Sequence, residues 1–480
     1  MTHTVGDEEI TGIDRAWLEM DTPQNPMVVS AVLELTGVRD VEVLLKHLLE
    51  RMLRHRRFLQ RADVDHDPPM WRDDGEPLMA YHVRVYHLTE DAPDHDVRHA
   101  VARELGRSLD RALPLWRLTL LERGDGRVTL LIRVHHAIAD GVALVRILMS
   151  CTDAASGGRR ASDQRPARPR KGPLGVWIER LEFVNRTLED LKEGLRADLQ
   201  DPSRILRQLR TGREAVAAVS RVLNLPDDNP ESLHRELSGT RNVAWTRHLP
   251  LGPIRRRARQ LQVKINDLFV AALAGAFGRY LRELGGSVDP GQNVRIEVPV
   301  NLRKEGDGDA GNRFGLVLLD LPVGVVDWRE RLRIVSARME ALKDSPEARA
   351  ILVGLMAAGH LPVPVEKRLV SLLASKAVAV VSNLPGPRTS LRFAGARLEN
   401  LVFWPPQAGA IGIGVSLFSY AGRVSVGVSS DIDIIAEPER LIAAFEAEIE
   451  HMLHPRRSPA VSSGEGRKRP GKGTRAGAAT

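Results

Sequence analysis

Apolar positions along the chain switch between two periods. Residues 28–36 ("VVSAVLELT") and 82–88 ("HVRVYHL") are rich in Val and Leu with partial alternation, and this pattern predicts strands. Segments 40–53 and 93–109 repeat apolar residues at helical spacing. Residues 127–134 ("RVTLLIRV") read as a strand that runs directly into "HHAIADG" and then into a helical run through Val142, Leu144, Val145 and Leu148. A polar stretch over roughly 174–224 keeps helical periodicity and reads as helices connecting or covering two halves.

A second alternation begins near 242–251. Residues 264–284 predict a strong amphipathic helix, with Asn266 or Asp267 placed as a cap ahead of the apolar run. Residues 293–303 predict a strand ending in a polar turn, further strands fall at 315–322, 377–382, 410–418 and 423–430, and 438–453 closes as a helix. Strands and helices mix without strict βαβ repetition. The expected class is therefore α/β with mixed sheets, built as two sandwiches rather than as a doubly wound dinucleotide fold.

Composition narrows this further. The chain has 480 residues, 43% hydrophobic and 27% charged, enough for two domains of common size. It contains no run of about 18 uncharged apolar residues, so no spanning helix is expected. The N-terminus has acidic residues and no apolar core region, so no secretory signal is expected, and the expected location is cytoplasmic. A single cysteine, Cys151, excludes an internal disulfide and a Cys-rich zinc site. The net charge of +7 is uneven: residues 158–172 carry six basic groups against one acid, and 456–480 carry seven against one. Such segments read either as a solvated linker and tail or as electrostatic attachment to an anionic membrane or lipid-body surface. No aromatic interleaving accompanies the charge, so nucleic acid is not an expected partner.

The histidine pair carries the candidate chemistry. A strand-end imidazole followed by Asp-Gly suits general-base work, because histidine takes and returns a proton near neutral pH. Gly141 is expected to adopt torsions denied to other residues. Adjacent histidines point to opposite faces and cannot easily share one metal, so no metal site is assigned. On these grounds alone, a catalytic pair and two satisfied core histidines both remain open.

The segment His135–Gly141 resembles the HHxxxDG signature of the CoA-dependent acyltransferase superfamily. Within it, the chain resembles the bacterial wax ester synthase/diacylglycerol acyltransferase family: "DRAWLEMDTPQNPM" (14–27), "PLW" (Pro114, Leu115, Trp116), "LSGTRNVAW" (237–245), "VPVNLR", "GNRFG" (311–315), "SNLPGP" (382–387) and "SYAGRVSVGVSSD" (419–431) follow in the family's order. The likeness spans about 8–453. It departs at "DGVAL", which lacks the family's small residue after Asp-Gly, and at "NPMVVSAV", where Met-His is more usual.

The resemblance implies two chloramphenicol-acetyltransferase-like domains, 1–155 and 236–455, with the active site in a channel between them. A basic linker with connecting helices (156–235) and a basic tail (456–480) complete the chain. It implies His136 as general base, His135 as a supporting residue, and Asp140 as an architectural carboxylate paired with Arg303. Asn266 is open between a helix cap and a contact near the channel, and Gly141, Pro114, Leu115 and Trp116 are candidate channel residues. Gly386 is expected in a rigid turn between the domains. Arg241, Arg295 and Arg388 are candidate cations for coenzyme A. The implied substrates are a fatty acyl-CoA and either diacylglycerol or a long-chain alcohol, with no cofactor and no acyl-enzyme on Cys151. A stand-alone condensation-type amide or ester synthase and a weakly catalytic lipid-binding or lipid-body protein are the alternatives.

Overall fold

A computed structural model describes residues 7–73, 77–153, 229–246, 248–301, 314–342 and 375–454. The first half runs β1 (Glu8–Glu9), α1 (Gly12–Met20), β2 (Val28–Thr36), α2 (Val41–Met52), β3 (Arg61–Asp63) and β4 (Met70–Arg72). It continues with α3 (Met79–His82), β5 (Val83–Leu88), α4 (Asp94–Leu105), β6 (Trp116–Arg123), β7 (Arg127–His135) and α5 (Gly141–Ser150). The second half supplies β8 (Arg241–Trp245), β9 (Leu249–Pro250), α6 (Leu251–Leu261), α7 (Ile265–Glu283), β10 (Val294–Asn301), β11 (Phe314–Leu321) and α8 (Trp328–Ala341). Then come β12 (Ala379–Pro385), β13 (Arg392–Phe393), β14 (Ala396–Trp404), β15 (Ile413–Tyr420), β16 (Arg423–Asp431) and α9 (Pro438–Leu453).

Among the described residues the strands form two large mixed sheets. The first has the order β13-β14-β2-β7-β6-β5 and the second β11-β10-β12-β15-β16-β8, with β9 also on β16. This is the expected mixed α/β architecture. The predicted strands at 28–36 and 127–134 and the helices at 40–53, 264–284 and 438–453 are all present within a residue or two. The 242–251 strand divides, because Leu251 already opens α6.

One feature crosses the expected domain boundary at residue 236. Strand β14 comes from the second half but pairs with β2 of the first sheet, Val402 opposite Val32 and Trp404 opposite Ser30. The sequence reading left this strand out because Glu399 and Asn400 interrupt its apolar run. Those two residues sit where the pairing register shifts. The two halves are thus locked by a shared sheet as well as by packing.

Each face of the first sheet is used. Leu33, Leu35, Leu118, Leu120, Leu130 and Ile132 face the helix layer with Leu44, Leu48 and Leu144. On the other side Val32, Leu131, Val402 and Trp404 pack on Val97 and Val101 of α4 and on Val243 of β8. In the second half, α7 is buried nearly all round, as its run of Ala and Gly permits, and packs with α8 and α9. Among the described residues no single helix is long and apolar enough to cross a membrane. Expectations for 154–228, for Arg303 and for the tail beyond 454 lie outside the described residues.

Candidate functional site

Strand β7 delivers the histidine pair by register. His135 stands opposite Val28 on β2, and its N–H donates to the Leu115 carbonyl at 2.9 Å. The His136 N–H then donates to the Met27 carbonyl at 2.8 Å. Both backbones are therefore fixed by neighbouring segments before any side chain acts.

The two rings occupy different surroundings. His135 is 1% exposed, and its Nδ1 accepts from the Ala137 N–H at 3.1 Å, which puts the proton of the neutral ring on Nε2. Nε2 lies 3.9 Å from Asp21 Oδ2. Burial, with the His136 and Arg111 charges adding to it, pushes His135 down to about 3, so this ring stays neutral at any working pH. His136 instead stacks on Trp17 of α1, with centroids 4.1 Å apart and planes at 24°. An aromatic face at this distance fixes the orientation of the ring.

Trp17 and Asp21 were not among the residues picked from the sequence. Ile10, Asp14, Trp17 and Leu18 recur at helical spacing, all buried, and this inward stripe was the available signal. Asp21 accepts from the Met27 N–H at 2.7 Å and faces Arg111 at 3.4 Å, so it ties the loop that holds His136. Burial raises the Asp21 carboxyl above its ordinary range, against the opposing pull of Met27 N–H and Arg111.

Asp140 is the N-cap of α5: its Oδ1 accepts from the Ala143 N–H at 2.8 Å. Its expected partner Arg303 lies outside the described residues. Gly141 corrects the sequence reading, since its φ is not positive. What a side chain there would meet is a tight contact, because a Cβ would sit 3.0 Å from Leu384 Cδ1, which would have to give way. Leu384 belongs to β12, so the second half touches the His-Asp-Gly turn at this glycine. Gly386 is likewise a close approach, its absent Cβ falling 2.3 Å from the Ser419 carbonyl oxygen.

Asn266 does not cap α7. Lys264 occupies the cap position, and Asp267 closes the first turn by accepting from the Lys264 N–H at 3.3 Å. Ile265 enters the helix as its first residue, ahead of both expected caps. Asn266 Oδ1 accepts from Asn383 Nδ2 at 2.7 Å, joining the start of α7 to β12 one residue before Leu384.

The Pro-Leu-Trp stretch is buried. Leu115 and Trp116 are wholly buried, and Trp116 Nε1 donates to the Phe58 carbonyl at 2.8 Å. The Pro114 carbonyl lies 3.0 Å from His82 Nε2. Cys151, buried at the end of α5, has its thiol pushed up to about 11 by burial, which disfavours the nucleophilic thiolate. Of the three candidate cations, Arg241 is buried on Gln24 and Asn25, and Arg295 is held by both oxygens of Asp320 at 2.7 and 3.2 Å. Both are therefore committed to internal partners, whereas Arg388 is exposed.

Comparison with known proteins gives the family. Residues 10–269 match the wax ester synthase/diacylglycerol acyltransferase catalytic domain, and 310–453 match the C-terminal domain of that family. A probable diacylglycerol O-acyltransferase of Mycobacterium tuberculosis is 26% identical over 462 residues, 92% of this chain and 95% of that protein. Among solved structures, the wax ester synthase/diacylglycerol acyltransferase of Marinobacter aquaeolei VT8 superposes with a TM-score of 0.63 at 21% identity, covering 93% of this chain and 98% of that one. The first condensation domain of the calcium-dependent antibiotic synthetase shares the fold, with a TM-score of 0.58 at 15% identity, over 94% and 96% of the two chains. With both of its halves matched by family domains in the expected order, the chain belongs to the wax ester synthase/diacylglycerol acyltransferase family.

Proposed function

We propose that the protein transfers a long fatty acyl group from coenzyme A to the hydroxyl of diacylglycerol or of a long-chain alcohol, with His136 as general base. The observation that carries this reading is the division of labour at the end of β7. One imidazole is locked neutral by burial. The next is stacked on Trp17 beside the turn that Leu384 reaches from the second half. His136 removes the proton of the acceptor hydroxyl while its oxygen attacks the thioester carbonyl. The tetrahedral intermediate then expels the CoA thiolate, which takes that proton, so ester and free coenzyme A balance the reaction. No cofactor enters, because acyl-CoA is consumed as substrate.

General-base catalysis contributes typically 10²–10⁴-fold. Purified wild type given radiolabelled palmitoyl-CoA with diacylglycerol or hexadecanol is therefore expected to form neutral lipid at least about 100-fold faster than His136→Ala. Equal rates from the two proteins would remove His136 from the chemistry. Lipid binding without product from either would turn the reading toward a non-catalytic lipid-body protein.

A further inference from the structure

Glu297 on β10 is a buried acid without a partner. It is 5% exposed and makes no hydrogen bond or ion pair among the described residues. Burial alone pushes its carboxyl up to about 8, so at neutral pH the group can donate a hydrogen bond as well as accept one. The cation two residues earlier, Arg295, is held by Asp320. Buried polar groups in folded proteins are almost always paired, so a solitary one calls for an explanation.

Strand register shows where this carboxyl faces. Leu384 of β12 meets the absent Cβ of Gly141, so its side chain is turned to the first half and to the His-Asp-Gly turn. Side chains alternate along a strand, and Ser382 and Val380 therefore share that face. Glu297 pairs with Val380 and points the same way. Four residues at about 3.3 Å each set the Glu297 row roughly 13 Å from Leu384. The wall around the carboxyl is apolar: its strand neighbours Leu318 and Val380 pack in one cluster with Ala377, Ala408 and Ile411. Apolar walls with one placed polar group select a mostly hydrocarbon ligand that carries one oxygen. Because the fold has already dehydrated this carboxyl, a ligand hydroxyl gives it a hydrogen bond at no further cost to the protein, whereas a methylene leaves it unpaired. A hydroxyl near the middle of an eighteen-carbon chain lies at a comparable distance from the reacting end of that chain.

We propose that Glu297 binds an in-chain hydroxyl of a long aliphatic substrate, and so makes the protein select hydroxylated chains over plain ones. The assignment rests on the acyl-transfer reading, which brings long chains to the turn. Initial rates are compared for 12-hydroxystearoyl-CoA against stearoyl-CoA with hexadecanol as acceptor, and for 1,12-octadecanediol against 1-octadecanol with palmitoyl-CoA as donor. The first pair asks whether the donor chain reaches Glu297, the second whether the acceptor chain does. In one of the pairs the wild type is expected to show kcat/KM at least tenfold higher for the hydroxylated chain. Glu297→Met, similar in size but unable to pair with a hydroxyl, is expected to lose that preference, and Glu297→Gln to keep part of it. The same contrast is read without turnover from Tm. Either 12-hydroxystearate over stearate or the diol over 1-octadecanol is expected to raise Tm further in the wild type but not in Glu297→Met. No preference in the wild type, or an equal preference in Glu297→Met, overturns the proposal and leaves the carboxyl to water. Ester formed from plain chains in that case keeps the acyl-transfer reading intact. A Glu297-dependent Tm advantage in a protein that forms no ester sinks the acyl-transfer reading and leaves the hydroxyl site standing.

Discussion

The first sheet's helix-side face and the second sheet's facing surface are both buried, but their side chains differ in kind. The first is aliphatic: Leu33, Leu118, Leu130 and Ile132 fill the layer beneath α2 and α5. The second is small and polar. Gly414, Ser416, Ser425, Gly427 and Ser429 meet Asn400, Val402 and Trp404 of β14, with Ser425 Oγ donating to Asn400 Oδ1 and Gln407 Nε2 donating to Ser429 Oγ at 2.9 Å. A thick aliphatic layer fixes the backbone that ends in the histidines. A thin surface of glycine and serine lets two sheets approach until backbone meets side chain. The difference teaches that one half supplies the positioned histidine pair and the other supplies proximity.

A paired substitution tests this most severely. A Cβ on Gly427 would lie 2.4 Å from Val402 Cγ1, a contact neither backbone can relieve. Gly427→Val is therefore expected to cost at least about 3 kcal/mol, enough to abolish soluble protein or lower Tm by many degrees. The opposite change on the aliphatic face, Leu130→Ala, leaves a cavity and is expected to cost about 2–5 kcal/mol. If Gly427→Val unfolds at the wild-type temperature, the sheets are not in close contact there and the comparison fails.

The second prediction concerns a carboxyl on that same thin surface. Pairing places Glu297 beside Leu318 and Val380, and Val380 beside Gly414, so all lie on the face turned to the first sheet. Glu297 is 5% exposed, and Arg295, two residues earlier, is already held by Asp320. Burial pushes Glu297 up to about 8 from 4.5. Raised in the fold, this acid favours folding most when protonated, below the unfolded value. That contribution is lost as pH rises from about 4.5 to about 8. Glu297→Met is therefore expected to track wild type near pH 4.5 and to exceed it above pH 8, by an amount on the order of 3–5 kcal/mol. Denaturant unfolding at both pH values measures the gap. A gap independent of pH would show that the carboxyl does not titrate in this window.

The sequence showed the histidine pair and its strand but not how the halves meet. The aliphatic strands and the 264–284 helix announced themselves by period, because one-sided burial imprints period on sequence. The thin surface left no such imprint: serine and glycine read as polar or as turn formers, although here they are buried. Glu399 and Asn400 hid β14 for the same reason. Asn266 shows the limit of cap signals. Its residue type suits a cap, but the register of α7 turned it toward Asn383 instead. Trp17 and Asp21 were overlooked because their partners, His136 and Met27, are distant in sequence or joined by backbone contacts that no side-chain pattern records.

The smallest expected effect falls where the two surfaces touch, at Asp140. Its capping bond to Ala143 N–H is worth about 0.5–2 kcal/mol, and asparagine caps about as well as aspartate. Asp140→Ala is expected to lower stability by that amount and to loosen the loop that carries His136, reducing both folded yield and acyl transfer. Asp140→Asn separates cap from charge. If capping is the whole of its role, the asparagine variant unfolds close to wild type in a chemical denaturation series. If it falls as far as the alanine variant, the carboxylate's charge is what the turn requires, which is the outcome the expected Arg303 partner demands. A variant that folds like wild type yet loses all turnover would instead move Asp140 into the chemistry beside His136.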